Sequence, residues 1–381
     1  MKEKVSPSLF VLLPIDRFLL SHRREVVEAA LAAGYRVTVV CKNTGYVEQI
    51  RSLGAEVIEL PIVPTGKHLR EEFKTFRFLF RLLRRYRPDL VHNIGNKLIL
   101  WGGLSAKLAR IRGVVHAVSG LGTLFSGESL SLFVRAIMCV MRFSNHRPRL
   151  ICIFQNKEDE KLFLEQQVIA KHQCRYIKGS GVNLQTFSYT PEPISDKIRI
   201  IFTGRMVRDK GVCVLIEAAE RLREHYGNRV EFLLCGGLSD NPHALKCEEL
   251  ESLCDGSYIQ WLGHRTDVKE LLASSHIVAF PSYYREGVPK SLIEACAIGR
   301  PIVTTDSVGC RDTVVDGWNG FLVPKQDAAA LAQRLEMLIQ DAELRCRMGC
   351  NSRQYAEQNF SVDAVVAAHL KIYEELLGDR K

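Results

Sequence analysis

The chain has 381 residues, 46% of them hydrophobic and 25% charged, with a formal net charge of +9. This length exceeds one ordinary core and this composition excludes a disordered chain, so two packed domains are expected. The charge is uneven, about +14 over residues 1–185 and about −5 over the rest, so the two halves are expected to face different partners.

The opening MKEKVSPSLFVLLPIDRF is basic and then apolar. Pro14 and Asp16 cut the apolar run to the length of a buried strand, short of a secretory h-region, and no later run reaches the roughly 20 apolar residues of a spanning helix. The expectation is a cytoplasmic protein, or one resting on the inner face of the cytoplasmic membrane. After LFVLL comes a helical stretch over 25–33, a stop at Gly34 and the strand RVTVVC, a βαβ opening. AEVIEL, DLVHNI, GVVHAV and RLICIF follow as compact apolar strands with helical segments such as 98–109 between them, the pattern of a parallel sheet covered on both faces. The polar stretch QTFSYTPEPISDK over 185–197 breaks the rhythm and marks the domain boundary.

IRIIFTGR restarts the alternation, and VEFLLCGG, YIQWLG, HIVAFPS, RPIVTTD and GFLVP continue it between helices over 212–225, 268–273 and 289–298. The expected architecture is α/β: two Rossmann-like, doubly wound parallel-sheet domains facing a cleft. Ligands then sit at the carboxyl ends of the strands. The twelve cysteines are scattered singly without CxxC pairs, and are expected to be mostly buried thiols in a reducing compartment. Cys346 and Cys350 lie one helical turn apart but lack further ligands nearby, so no metal and no resident cofactor are expected.

Two groups of residues carry chemistry. Thr203-Gly204-Arg205 follows one strand, with Lys210-Gly211 just beyond. A guanidinium and an ammonium beside a permissive turn suit a diphosphate, although solvated surface cations fit the same residues. The second group, Tyr284-Arg285-Glu286-Gly287-Val288-Pro289-Lys290-Ser291-Leu292-Ile293-Glu294, follows the strand HIVAFPS. Gly287 permits a tight entry and Pro289 suits a first helical turn, so the amides of residues 287–291 form an anion site. Glu286 lies just outside that helix and Glu294 about a turn and a half inside it, so the two carboxylates address different parts of one ligand.

With its E-x7-E spacing of Glu286 and Glu294, and with TGRMVRDKGV, FPSYYREGVPKSLIEACAIGRPIVTTDSVGCRDTVVDGWNGFLV and FLLSHRREVVEAALAAGYRV around it, the sequence resembles the retaining glycosyltransferases of family four, which have the GT-B fold. The resemblance implies an N-terminal acceptor domain over 1–186, a C-terminal donor domain over 187–361 and a last helix over 362–381 returning to the first domain. It implies a nucleotide-sugar donor, with UDP as the expected nucleotide. Arg205 and Lys210 would hold the diphosphate, Glu286 the transferred sugar and Glu294 the ribose. The backbone at Gly287, Val288, Pro289 and Lys290 would take the distal phosphate. Gly204 shapes the turn, and Gly236, Gly237, Gly263 and His264 would lie near the base. For Glu294 a helix-surface role, and for Gly236 a plain turn, stay open.

The narrower resemblance is to bacterial enzymes that extend undecaprenyl-diphosphate-linked sugars in surface polysaccharide or glycan assembly, with metal-independent, retaining transfer of a hexose or N-acetylhexosamine. The family's histidine near the acceptor is replaced here by Ser119 in VVHAVSGLG, with His116 the nearest histidine. Arg17, His22, Arg23 and Lys97 are the other acceptor-side candidates, with His92 and Asn96 beside Lys97. The segment HLREEFKTFRFLFRLLRRYR over 68–87, and a similar one over 132–149, place aromatic and cationic residues at helical spacing. They fit an anionic membrane surface, or helices whose Phe73, Phe76, Phe80 and Leu83 pack on a sheet. No nucleic-acid motif accompanies the basic half. The rival readings are a sugar-nucleotide epimerase on the same architecture and a non-catalytic partner subunit.

Overall fold

A computed structural model describes residues 6–62, 69–122, 131–239 and 241–378. It divides into two compact units, Met1–Ser180 with Val362–Lys381, and Gly181–Ser361.

In the first unit β1 (Ser8–Ile15), β2 (Arg36–Lys42), β3 (Glu56–Glu59), β4 (Leu90–Ile94), β5 (Gly113–Val118), β6 (Leu150–Phe154) and β7 (Cys174–Tyr176) form one parallel sheet in the order β3-β2-β1-β4-β5-β6-β7. Side chains alternate across it. Phe10 and Leu12 pack under α4 (Leu69–Tyr86), α5 (Asn96–Leu108) and α6 (Leu132–Asn145) on one face. Leu9, Val11 and Leu13 pack under α2 (Arg24–Ala32) and α14 (Val362–Leu377) on the other. With both faces covered, β4, β5 and β6 are buried along their whole length, which is why they read as unbroken apolar runs. The short helix α1 (Asp16–His22) leaves β1 directly. Buried Asp16 holds it there, accepting from the backbone of Arg17 at 2.7 Å, Thr44 at 2.7 Å and Tyr46 at 2.9 Å.

The second unit repeats the plan with β8 (Ile198–Thr203), β9 (Val230–Cys235), β10 (Ile259–Gly263), β11 (Ile277–Phe280), β12 (Ile302–Thr305) and β13 (Gly320–Val323), again parallel, in the order β10-β9-β8-β11-β12-β13. Its main helices are α8 (Val212–Tyr226), α11 (Lys290–Ile298), α12 (Ala328–Gln340) and α13 (Ala342–Asn359). The starts of α12 and α13 are set by Asp327 and Asp341, whose carboxylates accept from the amides of Ala330 and Leu344 at 2.8 Å each.

The break between the units falls at Ser180–Gly181, six residues before the expected 186–187. The proline-bearing stretch over 185–197 packs firmly on the second unit. Buried Arg300 donates to Pro191 O at 3.1 Å, Thr190 N donates to Ile298 O at 3.0 Å, and Glu192 pairs with buried Arg345 at 2.7 Å. Two cations that need partners inside the protein thus pin a segment whose composition reads as a linker. The chain returns to the first unit at α14, whose apolar residues Val365, Ile372, Tyr373 and Leu376 complete that unit's core.

Candidate active site

In the second unit the strand order reverses between β8 and β11, and the loops leaving these two strands meet at the carboxyl edge, the place where doubly wound sheets take ligands. Close packing of backbone on backbone fixes the meeting. A Cβ on Gly236 would lie 1.7 Å from Gly204 O, so the β9 loop can touch the β8 loop only through glycine. Gly211 has φ +82°, and a Cβ there would come within 2.1 Å of Pro281 O.

On this frame Lys210 reaches across from the β8 loop and forms an ion pair with Glu286, the two side chains 14% and 12% exposed. The Lys210 ammonium also lies 5.3 Å from the centre of the Phe280 ring and 5.7 Å from that of Tyr284. Ser282 joins the two loops, its hydroxyl 3.2 Å from Glu286 Oε1 and 3.2 Å from Asp209 O. The Asp209 carbonyl further accepts from the amides of Tyr283 and Tyr284 at 3.0 Å each. The Asp209 carboxylate meets His243 Nδ1 at 2.8 Å. Arg205 stands exposed at the rim, and among the described residues its side chain has no hydrogen-bond partner.

The helix α11 begins one residue later than expected. Pro289 is the cap, with φ −61° and ψ 124°, and Lys290 is the first helical residue. No side chain caps this end, so the amides of Lys290 and Ser291 stand where no intrahelical carbonyl can reach them. The Lys290 side chain turns away and donates to Gly181 O at 3.1 Å, so the backbone, not the ammonium, faces the site's anion position. Glu294 follows one turn on. The residue is half-buried and, among the described residues, forms no hydrogen bond or ion pair; burial pushes its carboxyl up to about 7, opposed by Lys290.

The loop after β12 closes the site from the other side. Thr305 and Ser307 both hydrogen-bond Ser282 O, the latter at 3.0 Å. Gly309, at φ +83°, lies so near that a Cβ would stand 1.5 Å from Gly287 O and 3.0 Å from the Glu286 Cβ. Gly309→Ala should therefore force the Glu286 loop aside and cost about 1–3 kcal/mol of stability. Thermal unfolding tests this, and an unchanged midpoint would show that the loop yields freely. Gly309 sits inside the family motif without a role of its own there, and Asp209, Ser282 and Thr305 are absent from the sequence candidates. Gly309 carries a signal, a glycine in the loop after a strand; the web around Ser282 O carries none, because ordinary threonine and serine hydroxyls meet a backbone carbonyl there.

At the ends of β9 and β10, Gly236 N donates to Gly263 O at 2.8 Å and Gly237 packs on His264, so the glycines and the histidine expected near a base do share one surface. The acceptor-side candidates of the first unit divide. Arg17, Lys97 and Ser119 follow β1, β4 and β5 at the carboxyl edge; Lys97 is paired with Glu72 at 2.5 Å. His22 stacks on Phe18 with ring centres 4.3 Å apart.

Three of these acceptor-side candidates are corrected, because they lie in the core. His116 is fully buried, between Asn145 at 3.1 Å and Asn93 at 3.2 Å, and burial holds its pKa down to about 4, so it is a core residue that cannot meet an acceptor. Arg23 is only 2% exposed, close to Tyr373 of α14. Its guanidinium donates to His22 O at 2.8 Å and cannot serve an acceptor phosphate at the surface. His92 is likewise buried, on Tyr373 OH at 2.8 Å.

Two doubly wound parallel sheets, each with one reversal of strand order, and a cation–carboxylate group at the reversal of the second fit the GT-B architecture. Residues 21–168 match the family profile described as a glycosyl transferase 4-like domain, and residues 197–341 match glycosyl transferases group 1. The chain belongs to this family. It is 26% identical over 368 residues, 93% of this chain and 95% of the other, to the N,N'-diacetylbacillosaminyl-diphospho-undecaprenol alpha-1,3-N-acetylgalactosaminyltransferase of Campylobacter jejuni. It is 23% identical, over 86% of each chain, to the UDP-Gal:alpha-D-GlcNAc-diphosphoundecaprenol alpha-1,3-galactosyltransferase of Escherichia coli. In fold it is similar to HepE of Anabaena solved with UDP and glucose, with a TM-score of 0.75 at 18% identity over 96% of this chain and 98% of that one. None of these three is an epimerase, and the epimerase alternative draws no support from them.

Proposed function

We propose that this glycosyltransferase moves a hexose or N-acetylhexosamine from a UDP-sugar to an undecaprenyl-diphosphate-linked saccharide in surface glycan assembly, with retention of anomeric configuration and without a metal. The observation that carries the donor half is the Lys210–Glu286 pair beside the uncapped start of α11. Arg205, Lys210 and the α11 amides supply the positive charge that a departing diphosphate needs, so electrostatic relief of the leaving group is available from the protein itself. Glu286 then meets sugar hydroxyls and Glu294 the ribose. The acceptor half rests on the activities of the Campylobacter jejuni and Escherichia coli relatives, each named for an undecaprenyl-diphosphate-linked acceptor. The test is transfer to an undecaprenyl-diphosphate-linked sugar in the presence of a chelator, with the new linkage read by NMR. An inverted linkage, or activity abolished by the chelator, contradicts the mechanism.

Glu294 gives this reading a pH signature. Ribose hydroxyls donate to the ionised carboxylate, so binding favours the deprotonated form of a group that titrates near 7 in the free protein. Affinity for UDP should be full above pH 7 and fall as pH drops below it, by up to about tenfold per unit. Calorimetry on the wild type and Glu294→Gln measures this. The diphosphate's own titration near 6 is common to both proteins, and equal pH profiles would remove Glu294 from the ribose.

The expected membrane surface falls on α4 and α6, which flank α5 on one face of the first sheet. Thr75, Leu79, Leu82 and Leu83 of α4 pack inward, while Leu69, Phe73 and Tyr86 stay exposed beside Arg70, Arg77, Arg81, Arg84 and Arg85. On α6, Leu132, Phe133 and Phe143 are exposed with Arg135 and Arg142. Apolar side chains among arginines suit an anionic interface. Among the described residues no helix is long and apolar enough to cross a membrane. Phe73→Ser with Phe133→Ser should reduce flotation with anionic vesicles at least severalfold, and unchanged flotation would place the contact elsewhere.

A further inference from the structure

The turn that carries Lys210 is also held from a side that the proposed reaction does not use. Arg208, Asp209 and Lys210 form one 3₁₀ turn, closed by Gly211 at φ +82°. Such a turn has three residues per revolution, so its side chains leave about 120° apart. Each meets a different element. Lys210 pairs with Glu286 after β11, Arg208 pairs with Glu249 of α9 (Cys247–Leu253), and the Asp209 carboxylate accepts from His243 Nδ1 at 2.8 Å.

His243 lies in the segment after β9, which runs beside the residues leading into the turn. Met206 N donates to Gly237 O at 3.1 Å, Arg208 N to His243 O at 2.9 Å and Leu245 N to Met206 O at 2.9 Å, with Val207 and Ala244 bridged as antiparallel partners. These backbone bonds end at Arg208. The His243 amide donates to Asn241 Oδ1 at 2.8 Å, which steadies the residue locally. Its imidazole makes the only side-chain hydrogen bond of Asp209 among the described residues.

The two holds on Asp209 act in different directions. The carbonyl accepts from Ser282 Oγ and from the amides of Tyr283 and Tyr284, and so fixes where the turn sits against the β11 loop. Bonds that converge on one carbonyl do not by themselves fix rotation about it. The carboxylate, bonded on the β9 side, does. Lys210 N donates to Val207 O at 2.9 Å and Gly211 N to Arg208 O at 2.8 Å, so the turn moves as one unit and a rotation that breaks the His243 contact swings Lys210 with it. The Arg208–Glu249 pair is a weaker restraint, with side chains 49% and 32% exposed against 13% for Asp209.

We infer that His243 is a positioning residue for donor binding: by holding the Asp209 carboxylate it sets the rotation of the turn that aims Lys210 at Glu286 and at the diphosphate of a nucleotide-sugar. The inference rests on the donor-site reading given above.

UDP calorimetry on the full chain tests it in wild type, His243→Ala, His243→Asn, Lys210→Ala and the Lys210→Ala, His243→Ala double variant. The His243 side chain is 57% exposed, so its replacements should fold with unfolding midpoints near wild type. His243→Ala should weaken UDP binding by about three- to tenfold. His243→Asn should stay within about twofold of wild type, because asparagine Nδ2 is attached to Cγ as histidine Nδ1 is and donates in its place. In the Lys210→Ala background His243→Ala should cost nothing further, since the residue through which it acts is gone; a general loosening of the site would weaken both backgrounds alike. Unchanged UDP affinity in His243→Ala, a loss that His243→Asn does not recover, or an equal loss with and without Lys210 overturns the inference and leaves the donor site in place. A wild type that does not bind UDP contradicts the donor-site reading itself, and this inference with it.

Discussion

Replacing Glu286 by alanine is expected to lower sugar transfer by roughly 10²–10³-fold while leaving affinity for UDP within a few-fold of wild type. The carboxylate is held by Lys210 on one side and Ser282 Oγ at 3.2 Å on the other, so it is fixed before any ligand arrives. A group held in this way toward the transferred sugar contributes most in the transition state, where the sugar separates from the diphosphate. UDP lacks that sugar and loses no contact. Lys210, released from its counter-ion, becomes more available to the diphosphate. Steady-state kinetics with UDP calorimetry decide the matter, and parallel loss of transfer and UDP binding would show that the sugar contact lies elsewhere.

The second large effect is expected from the cations. Arg205→Ala and Lys210→Ala should each weaken UDP binding by about 1.5–3 kcal/mol, the range of a charge-assisted hydrogen bond, or roughly ten- to a hundredfold. The two will differ in stability. Arg205 is exposed and, among the described residues, its side chain has no hydrogen-bond partner, so its loss should leave the unfolding midpoint near wild type. Loss of Lys210 removes the counter-ion of a Glu286 side chain only 12% exposed, and breaking a nearly buried pair by removing one member is destabilising. Wild-type UDP affinity in the double variant would remove both residues from the diphosphate site.

Much of this was legible in the sequence because a parallel sheet covered on both faces leaves unbroken apolar runs, and β4, β5 and β6 are such runs. The segment that became α14 carried an equally clear stripe. The loop and helix after β11 were legible because a glycine and a proline behind an apolar strand mark a turn into a helix. What escaped had physical reasons. The edge strand β7 is three residues of intermediate or full exposure and has no apolar signature. Burial of Arg23 depends on a partner far away in the chain, Tyr373 of α14. The stretch over 185–197 reads as a linker by composition, and only the buried guanidiniums of Arg300 and Arg345 make it part of a domain.

The most direct test of the donor site is a panel of UDP-, GDP- and ADP-sugars screened for thermal stabilisation of the purified protein, since a ligand that binds the folded state raises its apparent stability by mass action. The account predicts a clear rise with a UDP-sugar that disappears in the Arg205→Ala, Lys210→Ala double variant. No rise with any nucleotide-sugar, or one that survives in that variant, would contradict a donor site at the ends of β8 and β11.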